Sequence, residues 1–176
     1  MQRVIPIKNV DEINLIKDYY RKKGELNYLL MFTLSINTGI DLSRLLSLKV
    51  KEVKGKDYFE CDSRKLVPLT DELKELIKQN TKGRKGADWL FVNKNGNKYD
   101  RIWIFHKFKV ACKELGLSEK YSVASWRRTF AYHYYERYKD LSYLMWRFNQ
   151  ISPQVTLKYI DEDENMNFRF REGVCL

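Results

Sequence analysis

The residue pattern predicts a mainly α-helical chain with one small antiparallel β-sheet, an α+β fold in a single domain spanning residues 1–176. Three observations lead there. Apolar residues recur at three- and four-residue spacings through most of the chain. In one central stretch that period shortens towards two. Gly24, Gly39 and Gly116 stand where helical patterns run out, as helix-terminating glycines do.

The elements follow in order. Asp11 to Lys23 reads as a helix ending at Gly24, with Ile13, Leu15 and Ile16 on its buried side. Leu26 to Asn37, ending at Thr38-Gly39, is apolar nearly all round and belongs deep in the core. A short helix is expected from Leu42 to Leu48. Val50 to Cys61 and Lys65 to Leu69 read as strands of a hairpin or a three-stranded sheet. Thr70 caps a helix opening with Asp71 and Glu72, where carboxylates meet the positive end of the helix dipole. Trp89 to Val92 is expected as a short strand, and Asn93 to Asn97 as a turn. Ile102 to Leu115 is a long helix with Ile104, Phe105, Phe108 and Ala111 as its buried stripe. Three helices close the chain: Trp126 to Tyr138, Leu141 to Phe148, and one opening at Ser152-Pro153, a serine cap followed by proline in the first turn.

Composition narrows the function. The net charge is +10, with 33 Lys and Arg against 23 Asp and Glu. A surplus of that size favours a polyanionic partner, and nucleic-acid binding would be salt-dependent through counterion release. No run of about 18 apolar residues exists to span a bilayer. The opening MQRVIPIKNVDEIN lacks the basic-then-apolar pattern of a signal peptide. The expected location is the cytoplasm, on the nucleoid when DNA is bound. Cys61, Cys112 and Cys175 are scattered and only His106 and His133 are present, so neither a zinc site nor any other cofactor is expected.

Four stretches carry a resemblance. Asn37 to Leu48 (NTGIDLSRLLSL) is the first, and Lys65 to Leu69 (KLVPL) the second. Ser125 to His133 (SWRRTFAYH) follows, then Asn149 to Ile160 (NQISPQVTLKYI). In order and spacing they resemble the boxes of the tyrosine recombinases, the phage integrase family. Agreement at four places over nearly the whole chain is far more specific than any one box. The resemblance covers the family's catalytic domain, and no stretch is left for the N-terminal domain that closes the family's clamp around DNA.

That resemblance implies a chemistry. In the family a tyrosine oxygen attacks a DNA phosphate to give a 3′-phosphotyrosine, two arginines and one or two histidine-type donors stabilise the phosphate oxygens, and a lysine protonates the leaving 5′-oxygen. Tyr159 falls on the nucleophile and Arg127 on the second arginine. As plain residues they would be a core tyrosine and a surface charge. The other positions depart. Asp41 stands where the first arginine belongs, and Arg44 where its acidic partner belongs, so the i, i+3 ion pair is expected to survive with its charges exchanged. Counting back from Pro68 puts Glu60 at the hairpin lysine, with Lys56 or Lys65 as substitutes. Ala124 replaces the first histidine and can donate nothing, while Gln150 replaces the second and can donate neutrally. His133 matches a structural position of the family.

Candidate DNA contacts are Arg44, Lys49, Lys51, Arg64, Lys65, Arg127, Arg128 and Lys158, each alone also readable as a solvated charge. The acidic run Asp161 to Glu164 is either a solvated tail or a shield over the basic groove. Three functions stay open. The first is a DNA-binding protein with a degenerate active site, a regulator or accessory factor of a phage or mobile element. The second is a divergent minimal recombinase that cleaves double-stranded DNA. The third is a partner of a complete integrase, with homo-oligomers also possible.

Overall fold

The core is built around a helix that is apolar on almost every side. The computed structural model describes residues 3–61 and 65–162; Arg64, Cys175, Asp163 and Glu164 lie outside them. The central helix is α2 (Leu26–Thr38), which buries Leu29, Leu30, Met31, Phe32 and Leu34 completely or nearly so. It packs against α1 (Val10–Lys22), α5 (Asp71–Asn80) and α7 (Val123–Tyr138). Of its buried hydroxyls, Thr38 Oγ1 donates to Leu34 O at 2.7 Å and Ser35 Oγ to Ile40 O at 3.3 Å, while Thr33 Oγ1 has no partner among the described residues. Gly39 ends the helix at φ 63°, in the left-handed region that favours glycine.

α1 starts at Asn9, whose side chain accepts from Asp11 N at 2.8 Å. It turns Ile13, Ile16 and Tyr20 inward. Leu15 was expected on that face but is 44% exposed, because it lies off the i, i+3, i+7 stripe that the other three define.

The expected strand from Val50 is instead a helical turn. α3 (Leu42–Leu46) is followed by α4 (Val50–Val53). Glu52 accepts from the Lys49 amide at 2.6 Å, and Val50 N and Lys51 N bond to Asp88 O and Gly86 O. Val50 and Val53, three apart, both face the core. Their three-residue spacing suits a helical turn and not a strand, and it was the β-branched composition that misled. The sheet has two strands: β1 (Tyr58–Glu60) pairs antiparallel with β2 (Leu66–Pro68), Phe59 opposite Val67, both turned inward. Residues 89–92 supply only the isolated bridges Lys49↔Trp89 and Val92↔Lys98.

α6 (Arg101–Glu114) is capped by Asp100, whose Oδ1 accepts from Ile102 N and Trp103 N. It buries Ile104, Phe108, Ala111 and Cys112, whereas Phe105, placed on the stripe by sequence, is 41% exposed. α7 begins before Trp126 because Ser122 and Ser125 cap each other's backbone reciprocally. Trp126 packs edge-on against Phe32 and Phe108, with centroids 5.7 and 5.2 Å away. α8 (Leu141–Phe148) and α9 (Pro153–Tyr159, capped by Ser152) pack on the second half of α7 around Ala131, Tyr135, Leu144, Leu157 and Ile160.

Two ties hold the ends of this arrangement. Arg147, only 1% exposed, donates from Nη2 to Thr38 O at 2.8 Å and contacts Cys61 Sγ at 2.6 Å, joining α8 to the end of α2 and of β1. The N-terminal segment runs along α7, with Ile7 N donating to Thr129 Oγ1 and Ile7 O meeting His133 Nε2 at 3.0 Å.

Candidate functional site

A cleft of about 470 Å³ opens where the start of α7, the end of α9, the turn after Gly39 and the start of α6 meet. Asp41, Arg101, Ala124, Arg127, Arg128 and Tyr159 all face it. Each is placed by local structure. Gly39 turns the chain so that Asp41 becomes the N-cap of α3, accepting from Ser43 N at 2.7 Å. A Cβ on Gly39 would meet Phe130 of α7 at 2.5 Å, so that turn lies directly on the helix that carries the arginines.

Tyr159 is the last residue of α9. Its ring lies 5.4 Å from Phe148 and beneath the Arg128 guanidinium, 4.4 Å from the centroid, while Arg128 Nη1 also donates to Tyr159 O at 2.9 Å. Burial raises the phenol's pKa; Arg127 and Arg128 pull it down and Asp41 pushes it up. The phenol is therefore protonated at neutral pH. Arg127 stacks on Phe148 at 4.7 Å and reaches Asp41 Oδ2 with Nη1 at 3.7 Å. This pair is half in solvent, at 25% and 45% exposure, where an ion pair stabilises by about 0–1 kcal/mol.

The charge-exchanged pair expected between Asp41 and Arg44 does not form. Arg44 turns away from the cleft to Glu52 Oε1 at 2.6 Å, Cys61 O at 3.0 Å and Glu60 O at 2.9 Å. It anchors the hairpin to α4. Asp41 pairs with Arg127 instead, so the carboxylate does enter the cleft. It does not reverse the sign there: three guanidiniums face one carboxylate.

Lys65, expected as a DNA contact or hairpin lysine, is 8% exposed and points inward. Its ammonium donates to Trp146 O, to Arg147 O at 3.3 Å and to Asn149 Oδ1 at 2.8 Å. A cation there satisfies the carbonyls left open at a helix C-terminus. Glu60 sits on β1 and Lys56 on the turn before it, neither in the cleft. Gln150 lies between α8 and α9. The Thr156 hydroxyl donates to its Oε1 at 2.8 Å, which leaves the amide NH₂ as the group able to donate outward. Ala124 lines the cleft with a methyl group. Lys49 packs over Trp89 at 5.1 Å, and Lys51 and Lys158 are exposed on α4 and α9 outside the cleft. The first two acids of the run after α9 do not cover the groove: Asp161 pairs with Arg3 at 2.7 Å and Glu162 with Lys8 at 3.0 Å.

Arg101 was missed. It is the first residue of α6, exposed, and its Nη1 donates to Ser43 Oγ at 2.9 Å. The available signal was a cation at the positive end of a helix dipole, where cations are disfavoured.

A larger cleft of about 1060 Å³ is lined by Glu25, Asn27, Tyr28, Arg84, Tyr99 and Trp103. Some of its polar groups serve one another, Asn27 Nδ2 with Tyr99 Oη at 3.1 Å and Trp103 Nε1 with Tyr28 Oη at 2.8 Å. None of the candidate site residues named from sequence lines it, so the smaller cleft is the candidate. Among the described residues no cluster of three or more His, Cys, Asp or Glu is arranged to hold a metal ion, and no helix is long and apolar enough to cross a membrane.

The profile described as "Phage integrase family" matches residues 4–166. The chain belongs to that family. A relative, the "Probable integrase/recombinase YoeC" of Bacillus subtilis (strain 168), is 32% identical over 171 residues, covering 94% of this integrase-family chain and 93% of that protein. Solved structures share the fold at lower identity. XerA recombinase superposes with a TM-score of 0.74 at 17% identity over 92% of this chain. The Tn1549 transposon integrase, in complex with circular intermediate DNA, gives 0.74 at 16% over 88%. A lambda integrase dimer bound to a core site gives 0.68 at 17% over 99%. The chain spans 60% of the XerA and Tn1549 chains and 52% of the lambda one.

Proposed function

We propose that this integrase-family chain binds duplex DNA by seating a backbone phosphate in the smaller cleft, and that its own strand cleavage is slow or absent. One observation carries the reading: Arg127 and Tyr159 converge in the cleft, but the position of the family's first arginine holds Asp41, paired to Arg127.

The binding half rests on charge. Two adjacent α7 guanidiniums flank the phenol, and the buried Arg128 Nε–H has no partner among the described residues, a donor that a phosphate oxygen would satisfy. Relatives of the same fold were solved as complexes with DNA, among them the Tn1549 integrase and XerH recombinase. The chemical half rests on what is missing. Attack by Tyr159 requires loss of a proton from a phenol whose pKa burial raises, and charge on the phosphate oxygens must be met by donors. Asp41 opposes that charge, Ala124 offers no donor, Gln150 offers a neutral one, and Lys65 is committed to α8. Removal of a single preorganised donor typically costs roughly 100- to 1000-fold in rate. A DNA-binding regulator or accessory factor of a mobile element is the role that fits.

The test pairs equilibrium binding with a nicked duplex that traps phosphotyrosine. We expect salt-dependent binding, weakened roughly tenfold by Arg127→Ala or Arg128→Ala as a charge-assisted phosphate contact is lost, and no covalent adduct. Failure to bind at low salt removes the first half, and an adduct that Tyr159→Phe abolishes removes the second. The second outcome would favour a cleaving recombinase, a reading supported by the Tyr159 hydroxyl having no hydrogen-bond partner among the described residues and by the name that the YoeC protein carries.

A further inference from the structure

The cleft contains an arginine that the family's pattern does not supply. We infer that Arg101, at the start of α6, is a phosphate-binding residue that takes over the contact vacated at position 41, gripping the same phosphate as Arg127. This rests on the reading that DNA backbone enters this cleft.

Geometry supports it first. Arg101 Nη1 bonds to Ser43 Oγ at 2.9 Å, Ser43 N bonds to Asp41 Oδ1 at 2.7 Å, and Asp41 Oδ2 meets Arg127 Nη1 at 3.7 Å. The guanidinium is thus moored two residues beyond the vacated position, while its own backbone lies sixty residues further along the chain. It lines the same cleft as Arg127 and Tyr159. The nearer candidate by sequence, Arg44, is already held by one carboxylate and two carbonyls of the hairpin.

Electrostatics supports it next. Arg101 has no carboxylate within ion-pair distance among the described residues, and its one side-chain bond is to a neutral hydroxyl. A phosphate between Arg101 and Arg127 replaces that neutral bond by a charge-assisted, potentially bidentate one. Asp41, between the two arginines, keeps them from repelling one another while the cleft is empty.

The test uses the full chain and a fluorescent duplex of mixed sequence, titrated across a salt series. Arg101→Ala should weaken binding about tenfold, much as Arg127→Ala does, and Arg101→Lys should recover only part of the loss because the fork is gone. If both arginines grip one phosphate, the double variant loses no more than about 0.9 in the slope of log K against log[salt], and its affinity loss falls short of the product of the single losses. A slope loss of about 1.8 with multiplying affinity losses means two separate phosphates and overturns the inference. So does an Arg101→Ala variant that binds like the parent while Arg127→Ala does not, which leaves the DNA-binding reading standing. Indifference of binding to Arg127→Ala and Arg128→Ala removes that reading and the inference together. Arg101 is exposed, so thermal melts of its variants should match the parent and keep these outcomes about binding.

Discussion

Replacing Asp41 by asparagine separates the two jobs of that side chain. Its Oδ1 caps α3 through Ser43 N at 2.7 Å, and its Oδ2 faces Arg127 at 3.7 Å. Asparagine caps a helix about as well as aspartate but carries no charge. A phosphate seated on Arg127 would lie about 6 Å from the carboxylate, where Coulomb repulsion is ~0.7 kcal/mol in water and ~3 kcal/mol at an effective dielectric of 20. Because Asp41 is 45% exposed, the lower end applies, which is on the order of a three- to tenfold gain in affinity. We therefore predict that Asp41→Asn tightens duplex binding by that factor with almost unchanged urea unfolding. Asp41→Ala should tighten it similarly while losing ~1 kcal/mol of stability with the cap. Fluorescence anisotropy at fixed low salt reads the first effect and urea titration the second. Weaker binding by Asp41→Asn would refute the reasoning, because it would make the carboxylate an aid that orients Arg127 and not an obstacle.

Gly39→Ala combines a left-handed backbone with a Cβ 2.5 Å from Phe130, and should cost about 2–4 kcal/mol in urea unfolding; a cost below about 1 kcal/mol would mean that α7 yields easily. Lys65→Met removes the ammonium from the carbonyls closing α8, and should cost about 2–3 kcal/mol while the folded protein binds DNA as before; unchanged stability with weakened binding would return Lys65 to the DNA face. Burial pushes the Cys112 thiol from 9.0 up to about 11, so the unfolded chain ionises first: this stability is complete below pH 9 and disappears as pH rises through 11, about 1.4 kcal/mol by pH 10. Urea midpoints between pH 8.5 and 10 should fall in the parent and stay flatter in Cys112→Ala.

How far the sequence could be read depended on how far apart the interacting residues lie. Two helix starts were legible because caps act within three residues: Thr70 and Ser152, read as caps, each bond a nearby backbone amide. The meeting of Asp41, Arg127 and Tyr159 was legible through box spacing. The direction of long side chains was not. Arg44 and Lys65 both looked like groove cations, but each found carbonyls within the fold, Arg44 at the end of β1 and Lys65 at the end of α8, and neither set of acceptors has a local signature. Arg101 was invisible for the opposite reason, since its relation to Ser43 exists only once α6 has been packed against the turn after α2. The helical turn at Val50–Val53 escaped because two β-branched valines favour a strand by type although their spacing fits a helix.

The ion pairs from Arg3 and Lys8 to Asp161 and Glu162 have a consequence for handling the molecule. They lash Arg3 and Lys8 to the segment immediately behind Tyr159, so any displacement of the phenol towards a substrate must drag on or release this lashing. An affinity handle placed ahead of Arg3 would therefore tug on the tyrosine's support, and a handle at the other end is the safer choice for binding measurements.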